Sequence, residues 1–210
     1  MADRAREVRE FWLGRLPLAG SRLEERMRFW FGGPGEPAAA RHERDQAIAA
    51  RFETLVAEAA AGKLDSWAGS PRRRLSLILL LDQFPRNIYR GTPRAFATDP
   101  RALELALSGI QSGADAALQP FERLFFYMPL QHAESLEVQD EAVAAYGRLL
   151  QESPRELAPW LATSEQSALA HRSIIARFGR FPHRNGILGR LTAPQEQEYL
   201  DRDPETFGQG

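Results

Sequence analysis

Apolar residues along this chain recur at spacings of three and four, between short stretches rich in proline, glycine and polar side chains. That spacing is the mark of amphipathic helices. Val8, Phe11 and Trp12 share one side of a helix predicted over residues 3–14, before Gly14, Pro17 and Gly20 break the pattern. Ser21 and Glu24 form a capping box for a second helix through Phe31, with Leu23, Met27, Trp30 and Phe31 on its apolar face. Ile48, Phe52, Leu55 and Val56 define a third helix over residues 39–61, stopped by Gly62. Ser70 and Pro71 read as N-cap and first position of a fourth. Its run Leu75, Leu77, Ile78, Leu79, Leu80 and Leu81 is apolar all round, which predicts a buried helix ending near Phe84, with a loop from Asn87 to Ala97.

Further helices follow from Thr98-Asp99-Pro100 to Gly113, from Pro120 to an interruption at Pro129, and from Ser135 to Gln151. Thr163 and Gln166 read as a capping box opening a helix through Phe178, and Thr192 and Gln195 mark a last short one to Leu200. Almost nothing reads as a strand. The predicted fold is all-α, built from antiparallel helix pairs as a bundle or short solenoid. The division expected is an N-terminal extension over residues 1–20, one helical domain over 21–200 and a loose tail over 201–210.

Composition narrows the functional classes. With no cysteine, the chain has no disulfide, thiolate metal site or cysteine nucleophile. The 27 basic and 28 acidic residues balance to −1, against general nucleic-acid binding. No stretch is apolar for long enough to span a bilayer, and no secretory signal pattern is present. A cytoplasmic location is expected. Lys63 is the one lysine, so arginine supplies the other basic side chains. Arginine suits bidentate recognition of anions, although coding bias gives the same composition.

Five polar residues, Asp82, Gln83, Arg86, Asn87 and Arg90, follow the buried leucine run directly. Polar groups so close to an interior must be paired. Phe84-Pro85-Arg86-Asn87 is echoed by Phe181-Pro182-His183-Arg184-Asn185. One reading is structural, with arginine and asparagine satisfying the orphan carbonyls of helix ends. The other has Arg86, Arg90 and Arg184 converging on an anionic ligand that Asn87 and Asn185 orient. His132 and Glu134 lie one residue apart. Their spacing matches no zinc signature, even with His171 or His183 added, so no metal or other cofactor is expected. His132, oriented by Asp82 or Glu134, is a candidate acid or base, and His183, beside Arg184, is a second. The aromatic set Phe11, Trp12, Phe29, Trp30 and Phe31 reads as core packing ahead of a peptide groove.

These motifs carry a resemblance. Phe29-Trp30-Phe31-Gly32, the stretch 79–103 (LLLDQFPRNIYRGTPRAFATDPRAL), FERLFFYMPLQHAES over 121–135, HRSIIARFGRFPHRN over 171–185 and GILGR over 186–190 resemble the bacterial family known as domain of unknown function 924. The likeness spans about Arg22 to Leu200. It implies an all-α, tetratricopeptide-like superhelix and no particular activity. Where that family reads His-Ser-Glu, this chain has His132-Ala133-Glu134.

The function expected is binding of an anionic small molecule or peptide carboxylate. Asp82, Arg86, Asn87, Arg90, Glu134, Arg184 and Asn185 would form the ligand wall. The alternatives are a hydrolase or lyase using His132 or His183, and a scaffold whose polar cluster only locks the fold. Catalysis requires a histidine within reach of an open cavity; binding requires convergent arginines in a concave site; a scaffold requires every group paired and closed. The oligomeric state is not legible in the sequence.

Overall fold

The computed structural model describes residues 3–33 and 35–202. Among these, the regular structure is helical, with no strand. The α-helices are α1 (Arg4–Leu13), α2 (Gly20–Phe31), α3 (Ala38–Ala60), α4 (Pro71–Leu81), α5 (Gln83–Ile88), α6 (Asp99–Gln111), α7 (Pro120–Gln131), α8 (Leu136–Glu152), α9 (Ala158–Phe178) and α10 (Pro194–Arg202). Neighbours in sequence pack as pairs, α6 on α7, α7 on α8 and α8 on α9, while α4 touches α1, α3, α6 and α7 from the middle. Among the described residues no helix is long and apolar enough to cross a membrane.

The leucine run explains the position of α4. Leu75, Leu77, Ile78, Leu79, Leu80 and Leu81 are fully buried, so this helix has neighbours on every side. One of them is α1. Ala5, Val8, Trp12 and Leu13 are buried, and the buried Ser76 hydroxyl donates to the Ala5 carbonyl at 2.6 Å. The first helix is therefore part of the core and not an extension beside it. The expected loose tail lies, from residue 203 on, outside the described residues; residues 201 and 202 still belong to α10.

Several helix boundaries differ from those predicted, each for a local reason. Pro85 does not end a helix. It has no N–H to give the Leu81 carbonyl, and its ring crowds that carbonyl. The chain therefore jogs at Asp82 and starts α5. Thr98 fills the gap, its hydroxyl donating to the Leu81 carbonyl at 2.6 Å instead of capping its own helix. Pro129 is carried inside α7, which runs on to Gln131. α9 opens at Ala158 with Pro159 in its first turn, so Thr163 is interior and its hydroxyl donates back to the Pro159 carbonyl at 3.1 Å. α2 begins one residue before Ser21, behind an Ala19 N-cap that has no capping side chain. A capping box does exist at α7, between Gln119 and Glu122.

Candidate functional site

The jog at Asp82 turns a run of carbonyls and polar side chains toward one place. The Asp82 side chain is fully buried. Its Oδ2 accepts from Gln83 Nε2 at 2.5 Å, and its Oδ1 lies 3.2 Å from Arg86 Nη1 and 2.7 Å from His132 Nδ1. Arg86 Nη1 also donates to the Asp82 carbonyl at 2.9 Å, and Asn87 Nδ2 donates to the Gln83 carbonyl at 2.8 Å. Both carbonyls belong to the short first turn of α5, where they are served by side chains one turn on.

Burial alone would raise the Asp82 pKa. Arg86 first, then His132 and Gln83, outweigh it and hold the carboxyl well below the usual range. An ionised carboxylate only accepts, so the proton of this contact sits on His132 Nδ1. Burial, and after it the Arg86 charge, lower the His132 pKa against the pull of Asp82. The imidazole is thus neutral near pH 7, with its lone pair on Nε2. Nε2 has no hydrogen bond among the described residues, and His132 lines a cavity of about 340 Å³.

The cavity has two kinds of wall. Trp12, Trp30, Phe31 and Met128 form the apolar side, and Gln83, Asn87, Gln131, Ser167 and His171 much of the polar side. α9 presents the last two. His171 Nδ1 donates to the Ser167 carbonyl at 2.7 Å, and the His132 and His171 ring centres are 6.2 Å apart. Burial is the chief cause that pushes the His171 pKa down to about 3, so a second neutral imidazole faces the first.

Four arginines reach the cavity, and each faces a carboxylate. Arg86 grips Asp99 through both terminal nitrogens, at 2.7 and 2.8 Å. Arg90 holds Asp45 through Nε and Nη2, at 2.7 and 3.0 Å, and also reaches Asn87 Oδ1 at 3.4 Å. Arg44 and Arg41 share Glu36, at 2.5 and 3.6 Å. Asp99, which the sequence offers only as a helix opener, neutralises the centre of the cluster.

The second phrase does a different job. Arg184 reaches Asp99 at 3.7 Å, but its guanidinium packs over Phe181 and Phe96, 4.4 and 4.7 Å from the ring centres. Burial, and then Arg86, lower its pKa to about 10, and its Nε is buried without a hydrogen bond among the described residues. Glu134 receives Phe181 N at 2.8 Å and both Arg190 terminal nitrogens at 2.7 and 3.1 Å. Asn185 accepts from Arg190 Nε at 3.1 Å and donates to Glu196 Oε2, also at 3.1 Å. Glu134, Arg184 and Asn185 are not among the cavity-lining residues, and neither is His183, whose pKa burial and Arg184 lower to about 4. These residues fasten the segment after α9 to the helices before it.

Of the residues predicted for a site, Arg86, Asn87, Arg90 and His132 line the cavity and Asp82 supports it from behind. Glu36, Arg41, Arg44 and Ser167 line the cavity without a mark of their own in the sequence that points to a site, Gln131 stands out there only as a polar neighbour of His132, and His171 only as a member of a weak metal set. Taken together, Ser167 and His171 do carry a signal: they are four residues apart, a polar pair interrupting one face of a helix otherwise rich in alanine and isoleucine.

Comparison with known proteins gives two findings. Residues 8–203 match the family described as bacterial protein of unknown function (DUF924). The structure of the protein of unknown function ATU0120 from Agrobacterium tumefaciens is similar to this one, with a TM-score of 0.77 and 36% sequence identity, over 96% of this chain and 99% of that chain. No curated protein matches the chain.

Proposed function

We propose, for a chain that belongs to the bacterial DUF924 family, a small-molecule enzyme of hydrolase or lyase type in which His132 is the general base. The carrying observation is the pairing of His132 Nδ1 with buried Asp82 at 2.7 Å while Nε2 is left to the cavity. A buried carboxylate behind an imidazole fixes its tautomer and supports the imidazolium that forms when Nε2 takes a proton. In a hydrolysis, Nε2 takes the proton of a water, the hydroxide adds to the electrophilic carbon, the bond to the leaving group breaks, and Nε2 returns the proton to that group. In an elimination, Nε2 takes the proton from carbon and a leaving group departs from the neighbouring atom.

The charge balance favours this over an arginine clamp, since Arg86 and Arg90 already hold Asp99 and Asp45. One observation supports a second reading, the binding of a carboxylate. Arg41 and Arg44 share a single Glu36, which among the described residues leaves the cavity wall one guanidinium in excess there. The pairing of helices joined by short connections supports a tetratricopeptide-like arrangement.

The test is a turnover screen of small esters, amides and elimination substrates, run with His132→Gln beside the wild type. A general base contributes about a hundredfold or more. Turnover that falls by that factor in the variant supports the reading. Turnover that survives the substitution removes His132 from the chemistry. Binding of carboxylates that is lost in Arg41→Gln, with no turnover of any compound, favours the second reading.

A further inference from the structure

The wall of the cavity at His132 is shared. Phe31, 52% exposed, also borders a second depression of about 410 Å³, with Met27, Arg28, Gly33 and Trp160 around it. One face of α9 contributes to both. Trp160, Ser164, Ser167 and His171 follow one another at intervals of four, three and four along α9, a single helical stripe. Trp160 borders the outer depression, and Ser167 and His171 line the inner cavity. At the rise of an α-helix the two ends of this stripe are about 16 Å apart.

The chemistry changes along that length. The inner end offers imidazoles, amides, a hydroxyl and arginines paired with carboxylates. The outer end offers an indole, a thioether and the exposed Phe31 ring. The charged groups of the outer end, Glu24 and Arg28, face each other at 3.8 Å. An extended peptide laid there would bring backbone N–H and C=O groups that need partners. An aliphatic chain needs none.

We propose that the ligand is an acyl compound, with its polar carbonyl end at His132 and a linear aliphatic chain of medium length laid across Phe31 into the depression between Met27 and Trp160. This rests on the reading of the His132 cavity as the reacting end.

The test is calorimetric titration of the full chain with N-methyl acylamides from butanoyl to decanoyl. Burial of a methylene gives about a fourfold gain in affinity, so the constants should climb along the series. Gly33→Leu should flatten the climb and leave the butanoyl compound unaffected. Gly33 lines the depression, and a Cβ there meets only Arg28 Cγ, at 4.0 Å, so there is room for the leucine at its edge. Trp160→Ala should weaken the decanoyl compound tenfold or more, and unchanged butanoyl affinity shows that the variant is folded. An affinity independent of chain length, or a climb that Gly33→Leu leaves intact, would overturn the proposal. A flat series alongside His132-dependent turnover of a short ester removes the groove and keeps the base. A climbing series without any such turnover removes the base and keeps the groove.

Discussion

Arg86 holds Asp99 through both of its terminal nitrogens while one of them also lies 3.2 Å from Asp82, so a single guanidinium joins the end of α4 to the start of α6. Asp82 is fully buried and Arg86 nearly so. Breaking a buried pair costs about 3–5 kcal/mol, because the remaining charge loses its compensation. Arg86→Gln should therefore destabilise the chain by several kcal/mol, read as a lower midpoint of urea unfolding. A loss under 1 kcal/mol would mean that Asp82 and Asp99 do not depend on this arginine.

Asp82→Asn keeps the shape at that position and removes the charge. The Asp82 charge raises the His132 pKa, so its loss should lower that pKa further. The amide can also donate to Nδ1 and move the imidazole proton to Nε2, which disables the base. Nitrogen-detected NMR of His132 should show a change of tautomer, with turnover reduced by about a hundredfold or more. An unchanged tautomer and unchanged turnover would separate Asp82 from the function of His132.

His171 makes stability depend on pH. Unfolded, it takes a proton near pH 6.5. Folded, it resists protonation down to about 3, chiefly because burial disfavours the imidazolium. Between those values the unfolded state binds the extra proton, so stability falls as the pH falls, by about 1.4 kcal/mol per pH unit for one such group. The depressed carboxyls of Asp82 and Glu196 act in the same direction below about pH 4.5, where their unfolded counterparts begin to protonate. Unfolding free energies measured between pH 7 and pH 4 check this, and His171→Gln should remove part of the slope. A flat profile would show that His171 titrates normally in the fold.

Gly109 sits where α6 meets α7. A Cβ there would overlap the fully buried Phe126 ring and lie 3.0 Å from Arg74 Cδ. A ring closed in on all sides cannot yield, so the usual gain in helix propensity from Gly to Ala is outweighed. Gly109→Ala should cost about 1–3 kcal/mol by overpacking. A raised melting temperature would show that the two helices can separate freely.

Glu196 is the clasp of the last helix. It receives Arg180 at 2.6 and 2.7 Å, Ala193 N at 2.7 Å and Asn185 Nδ2 at 3.1 Å. The Arg180 hydrogen bond is the chief cause that lowers its pKa to about 2. Glu196→Gln should speed amide exchange over 190–202 while α4 and α7 stay protected. Exchange that rises equally everywhere would mean that the clasp belongs to the global fold.

How much of this was legible in the sequence differs between the two phrases. Both Phe-Pro-Arg-Asn and Phe-Pro-His-Arg-Asn could be read as sites or as helix-end structure. The first lies beside the cavity and the second fastens a loop, with Asn185 tied to Arg190 and Glu196. Local sequence does not separate them, because each phrase takes its role from partners far along the chain. Likewise Arg86, Arg90 and Arg184 read as a clamp because the one acidic neighbour in sequence, Asp82, is too few for three guanidinium groups. The neutralising groups, Asp99 and Asp45, come from other helices.

The sequence by itself determined the helical class, most of the helices, and the burial of the leucine run, since the period of apolar residues and the placing of proline and glycine act over a few residues. It also marked Asp82 and His132 as groups near an interior. The tertiary structure decided that these two, fifty positions apart, share a hydrogen bond, that α1 belongs to the core, and that the rings of Trp12, Trp30 and Phe31 form a cavity wall as well as packing. Those outcomes depend on which helix faces meet. That choice is made by the packing of the whole chain, and no short stretch contains it.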